Sequence, residues 1–121
     1  GKDAPVTRYR ITAAIARSLH SEGILEEDRI AIMTQACQLA ATAAQRYPDN
    51  KLILGAYCEV GVQWYRKTAD FSIYDAALRE LKQAEIRLGD PQISALIRKY
   101  EQRISGQAMH ALETGSSEDA V

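Results

Sequence analysis

The sequence predicts an all-helical fold, and three observations carry that expectation. Apolar residues recur at helical spacing along nearly the whole chain. Punctuation is sparse, with three prolines and seven glycines in 121 residues. No period-two alternation persists beyond four residues, so nothing reads as a strand.

The prolines set the element boundaries. Pro5, Pro48 and Pro91 lie 43 residues apart each time. Each stands where a helix would begin, the position at which a missing amide costs least. Two of them fall in turn sequences, Tyr47-Pro48-Asp49-Asn50 and Leu88-Gly89-Asp90-Pro91. Softer breaks lie at Ser21-Glu22-Gly23 and Thr68-Ala69-Asp70-Phe71-Ser72.

Five helices follow. Helix 1 is expected near 5–21, with Ile11, Ala14, Ile15 and Leu19 on one face. Helix 2 is expected near 26–47, its stripe running through Ile30, Met33, Cys37, Ala40, Ala44 and Tyr47. Helix 3, near 51–68, turns Ile53, Leu54, Tyr57, Cys58, Val60, Gly61 and Trp64 inward. Helix 4, near 72–88, has Ser72 as its expected N-cap and Asp75 in its first turn. Its stripe is Ile73, Ala77, Leu81, Ala84 and Leu88. Helix 5, near 91–105, carries Ile93, Leu96, Ile97, Tyr100 and Ile104 and weakens at Gly106. Residues 1–113 read as one domain, and the small polar stretch 114–121 as disordered.

The proline spacing also signals a repeat. An offset of 43 superposes Ile11, Leu54 and Ile97, and likewise Ala14, Tyr57 and Tyr100. The second helices align better at 41, which sets Ala36 on Ala77, Ala40 on Leu81 and Ala43 on Ala84. The predicted architecture is two antiparallel helix pairs plus a final capping helix. Another α-α repeat or a five-helix bundle would give the same seams.

The stretch Tyr57-x-x-Val60-Gly61-x-x-Trp64 resembles the first-helix signature of tetratricopeptide repeats. Ala77, Leu81 and Ala84 then follow at the family's second-helix spacing. Tyr57, Gly61, Trp64, Ala77, Leu81 and Ala84 are the packing residues that this resemblance picks out. A tetratricopeptide unit has about 34 residues, so these units are longer. The resemblance implies a right-handed superhelix whose first helices line a concave, peptide-holding groove. Carried onto this sequence, the groove is expected to include Arg10, Ala13, Arg17 and His20 on helix 1. On helix 3 it takes Cys58, Glu59, Val62, Tyr65 and Arg66, and on helix 5 Arg98 and Glu101. That set is net basic, so an acidic protein or peptide partner is expected. Glu59 and Ala13 fall where the chaperone-tail binders of the family carry Asn and Lys, which argues against that ligand.

Composition narrows the alternatives. The net charge of -1 lacks the basic excess of a dedicated nucleic-acid or anionic-membrane binder. No apolar run approaches the ~20 residues that span a bilayer. The opening Gly1-Lys2-Asp3-Ala4-Pro5 has no signal-peptide core and no initiator Met, as expected of a piece of a longer protein. Cys37 and Cys58 lie in apolar stripes without redox or metal spacing, as buried free thiols of a cytoplasmic protein would.

Catalytic groups are thin on the ground. Neither His20 nor His110 has a Cys, Asp or Glu at i, i+4 spacing, and His20 and Glu22 face different sides. No glycine-rich phosphate loop or nucleophile elbow occurs. The acidic run Glu26-Glu27-Asp28 opens helix 2, where it complements the helix dipole. Lys82, Arg87, Arg98, Lys99 and Arg103 alternate with glutamates, as on a solvated face. No enzyme activity, cofactor or metal is expected. The expected function is a protein- or peptide-binding scaffold module. The alternative is a self-associating or regulatory domain attached to another, for which a homo-oligomer would be the sign.

Overall fold

A computed structural model describes residues 4–20, 23 and 25–110, leaving out the side chains of 16, 18–20 and 107–110. Five helices fill this span: α1 (Ala4–His20), α2 (Glu26–Arg46), α3 (Lys51–Thr68), α4 (Ser72–Leu88) and α5 (Pro91–His110). No strand occurs among the described residues. The bounds of α3 and α4 are those read from the sequence; α1 starts one residue earlier than expected, with its expected last residue, 21, outside the described residues, and α2 ends one residue earlier. α5 runs past its expected end at 105, because Gly106 lowers helix propensity without leaving the helical backbone. The stretch 114–121, expected to be disordered, lies outside the described residues.

Local chemistry explains the starts and stops. The Asn50 side chain accepts hydrogen bonds from the amides of Leu52 (3.0 Å) and Ile53 (3.1 Å), capping α3. Asp90 Oδ1 accepts from Gln92 N at 2.9 Å and opens α5, with Pro91 at the first helical position. The start of α4 corrects the sequence reading. Ser72 lies within the helix, and the capping group is Asp70, whose Oδ1 accepts from Ser72 N at 2.9 Å. A carboxylate is the stronger acceptor, and the left-handed backbone of Ala69 (φ 61°) turns the chain so that Asp70 reaches it. Gly89 (φ 61°) ends α4 in the same left-handed conformation, which glycine adopts without strain.

The helices pack as a series. Each touches the next, α1 and α5 both touch α3, and α2 touches α4. Among the described residues α1 reaches neither α4 nor α5, and α2 does not reach α5. This neighbour-to-neighbour packing fits a helical repeat. The seam at offset 43, Ile11, Leu54 and Ile97, is buried in all three units. Tyr57, Ala77, Leu81 and Ala84 are buried as expected. Trp64 is half-buried instead, and its indole donates to Asp70 Oδ2 at 3.0 Å across the α3–α4 turn. Leu88 is a further correction: it is 45% exposed, because α4 stops there and the chain turns away from the core.

The tightest approach is at Gly61. A Cβ there would lie 2.5 Å from Tyr74 Cα and 2.7 Å from Tyr74 N. These are backbone atoms of α4, so no rotamer change could relieve the clash. Tyr74 in turn sends its hydroxyl to the Tyr100 carbonyl of α5 at 3.0 Å. No described helix is long and apolar enough to cross a membrane.

Two outcomes test this packing. Gly61→Ala should lose about 1–3 kcal/mol in urea denaturation by overpacking, although alanine gains ~1 kcal/mol in helix propensity; a more stable variant would contradict the close crossing. Truncation after Gly89 removes Ile93, Ile97 and Tyr100 from the core. The shortened chain should aggregate or melt lower, and an unchanged melting temperature in a monomer would mean that α5 is no cap.

Candidate functional site

The surface across the three first helices differs from the expected groove. Cys58 and Val62 do not line it: they are 0% and 1% exposed, inside the core. The reason is that α3 is covered by α1, α2, α4 and α5 together, so the face beside the Tyr57–Gly61 seam is interior. The open cleft lies two to three residues earlier in register. It is lined by Arg8 and Thr12 of α1, by Leu52, Gly55, Ala56 and Glu59 of α3, and by Leu96, Lys99 and Tyr100 of α5, with Lys51 at its end. Its volume is about 340 Å³.

Of the expected groove residues only Glu59 lies in this cleft. Arg10, Ala13 and Arg17 gather in a second cleft of about 520 Å³ between α1 and α2. Arg66 and Arg98 are exposed and line neither. Tyr65 is half-buried against Phe71, ring centroids 5.6 Å apart, and Phe71 meets Tyr74 at 5.1 Å. The side chain of His20 lies outside the described residues. Residues 52 to 54 are all large and apolar, and of them Leu52 faces outward, 54% exposed. Nothing in the sequence singled it out.

The cleft has an apolar floor and a charged rim. Gly55 and Ala56, both buried, form the floor, flanked by Leu52 and Leu96. Glu59 is pinned: Oε2 accepts from Gln63 at 2.9 Å and Oε1 pairs with Arg103. Burial pushes the Glu59 carboxyl up, but the hydrogen bonds from Arg103 and Gln63 and the charges of Arg103 and Lys99 outweigh it, for a net lowering. Its contribution to stability is therefore present above the ordinary value of 4.5 and fades as pH falls through the lowered folded value. The Tyr100 ring is flanked by Lys99 Nζ at 5.2 Å and the Arg103 guanidinium at 5.8 Å. Burial and then Glu59 push its phenol well up, so it stays neutral.

Two cations of this rim form no ion pair among the described residues. Lys51 is held by Asp90 at 3.2 Å and Arg103 by Glu59. Arg8 and Lys99 have no carboxylate within ion-pair distance among the described residues. The basic groups of α4 are spent elsewhere: Arg79 pairs with Asp75, Lys82 with Glu101 at 3.4 Å, and Arg87 with Asp49 at 2.9 Å. Glu26 of the acidic run pairs with Lys67 and lies 3.6 Å from Arg29. Among the described residues no three His, Cys, Asp or Glu are grouped to hold a metal ion.

Cys37 and Cys58 are buried and free, as the sequence suggested. Burial and then Asp70 push the Cys37 thiol up to about 11. Burial and then Glu59 push Cys58 up to about 12. The chain matches no family model, no curated protein and no solved structure.

The thiols give a test of native packing. At pH 8 on the order of a thousandth of Cys37, and less of Cys58, would be thiolate. A disulfide reagent should therefore titrate neither in the native chain and both in denaturant. Fast labelling of a native thiol would mean that the core around it opens.

Proposed function

We propose that this chain is a non-catalytic binding module, a tetratricopeptide-like helix stack that holds an acidic peptide segment across its first helices. The observation carrying this reading is the α1–α3–α5 cleft, an apolar floor with Arg8 and Lys99 at its rim, neither in an ion pair among the described residues. A peptide suited to it presents small or aliphatic side chains to Gly55, Ala56 and Leu96, and carboxylates to the two cations. Charge-assisted hydrogen bonds of that kind are about twice as strong as neutral ones and steer encounter. Two buried free thiols suit a reducing cytoplasm. The neighbour-to-neighbour helix packing supports a stack, in which adjacent first helices form one continuous surface.

The test uses fluorescein-labelled peptides of alternating leucine and glutamate, with lysine counterparts, in anisotropy titrations against the full chain. The glutamate series should bind saturably, and more weakly as salt rises. The double variant Arg8→Glu, Lys99→Glu should weaken it at least about tenfold without changing the circular dichroism. Equal binding of both series, or none at all, would sink the proposal.

A further inference from the structure

The α1–α2 cleft is not a second view of the first. It opens on the other side of α1, and its residues have counterparts in the next unit. At offset 43, Arg10, Ala13, Ala14 and Arg17 correspond to Ile53, Ala56, Tyr57 and Val60. At offset 41, Gln35 and Leu39 correspond to Ala76 and Glu80.

In the second unit this surface is roofed by a helix. Tyr57, Ala76 and Glu80 face Ala41, Ala44 and Gln45 of α2, and the space left there is only about 70 Å³. In the first unit the matching residues Ala14, Gln35 and Leu39 line a space of about 520 Å³. The same architectural position is thus filled by a small-residue helix face in one unit and open in the other. Ala13, Ala14 and Ala36 form a floor low enough for a helix backbone to approach closely. Tyr9 stands 71% exposed beside it.

Charge then selects the occupant. Ile53 and Val60 are fully buried in the second unit, yet their counterparts here are Arg10 and Arg17. The two arginines are two helical turns apart on α1, and among the described residues no acidic side chain lines the cleft. Neither arginine has an ion-pair partner among the described residues. A helix as neutral as the alanine face of α2 would leave both guanidinium groups uncompensated beneath it.

We propose that the α1–α2 cleft is a docking site for an acidic amphipathic helix of another protein, seated on α1 as α2 is seated on α3. That helix presents small residues to Ala13, Ala14 and Ala36, and carboxylates to Arg10 and Arg17. The site is independent of the α1–α3–α5 cleft and survives if that one binds nothing.

The probe is a fluorescein-labelled, alanine-rich helical peptide with two glutamates one heptad apart, compared with its lysine counterpart on the full chain. The glutamate peptide should bind saturably and the lysine peptide should not. Arg10→Glu with Arg17→Glu should weaken binding at least about tenfold, and Ala13→Trp should block it sterically. Arg8→Glu with Lys99→Glu should leave it unchanged. All these positions but Tyr-flanking Ala13 are charged surface sites, and circular dichroism will verify that each variant folds. Failure of the glutamate peptide to bind overturns the proposal, as does binding insensitive to Arg10, Arg17 and Ala13. It is equally overturned if sedimentation finds a dimer that the Arg10→Glu, Arg17→Glu variant dissociates, since a second copy would then be the occupant.

Discussion

The crossing of α3 and α4 at Gly61 fixes much of the rest. With no side chain at that point, the two helices approach until only a hydrogen atom separates Gly61 from the Tyr74 backbone. Tyr74 is thereby held where its hydroxyl meets the Tyr100 carbonyl, which ties α5 to the pair. The position of α5 then sets the third wall of the first-helix cleft, through Leu96, Lys99 and Tyr100. One glycine, expensive in helix propensity, is thus connected through two tyrosines to the shape of the candidate site.

The unequal repeat offsets have a physical origin in the turns. The connection within the first pair, 21–25, is two residues longer than that within the second, 69–71. That difference accounts for second helices repeating at 41 while first helices repeat at 43. The short second turn depends on the left-handed backbone of Ala69 and on Asp70, which binds both Ser72 N and the Trp64 indole. The connections between pairs, 47–50 and 89–90, differ by two residues in turn. They lie side by side, joined by Lys51–Asp90 and by Arg87, which donates to Asp49 and to the Pro48 carbonyl at 3.0 Å. Exposed pairs of this kind contribute only about 0–1 kcal/mol each, so their effect is to orient the turns.

Element boundaries were legible because prolines and turn residues punctuate the chain, and the bounds of α3 and α4 needed no correction. The groove register was not legible, for a reason visible in α3. Residues 53–58 and 60–63 are all buried, so periodicity cannot tell its inner face from its groove face. A shift of two residues moves a side chain more than half a turn, enough to exchange Cys58 for Ala56. The expected Ser72 cap fails because α4 already begins at Ser72, whose own amide is taken by Asp70 two residues earlier. Arg10 and Arg17 enter the expected groove by the register carried across from α3, and they line the α1–α2 cleft instead. Charge says that a face avoids the core, and does not say which neighbour it avoids.

The two clefts differ in what could hold a ligand. The floor of the first-helix cleft is apolar, with Gly55 and Ala56 set between Leu52 and Leu96. Buried apolar surface contributes roughly 25 cal/mol per Å², and a floor of that kind leaves most discrimination to Arg8 and Lys99. Both cations face water and are screened by salt, so a ligand held by them exchanges readily. The α1–α2 cleft is larger and shaped as the seat of a helix, so an occupant there would bury more surface around Arg10 and Arg17. Desolvating these arginines makes the match of charge more stringent, because an unpaired guanidinium under a helix is strongly unfavourable. On the proposed reading the α1–α2 cleft is therefore the more selective of the two surfaces, and the face across the first helices the more permissive.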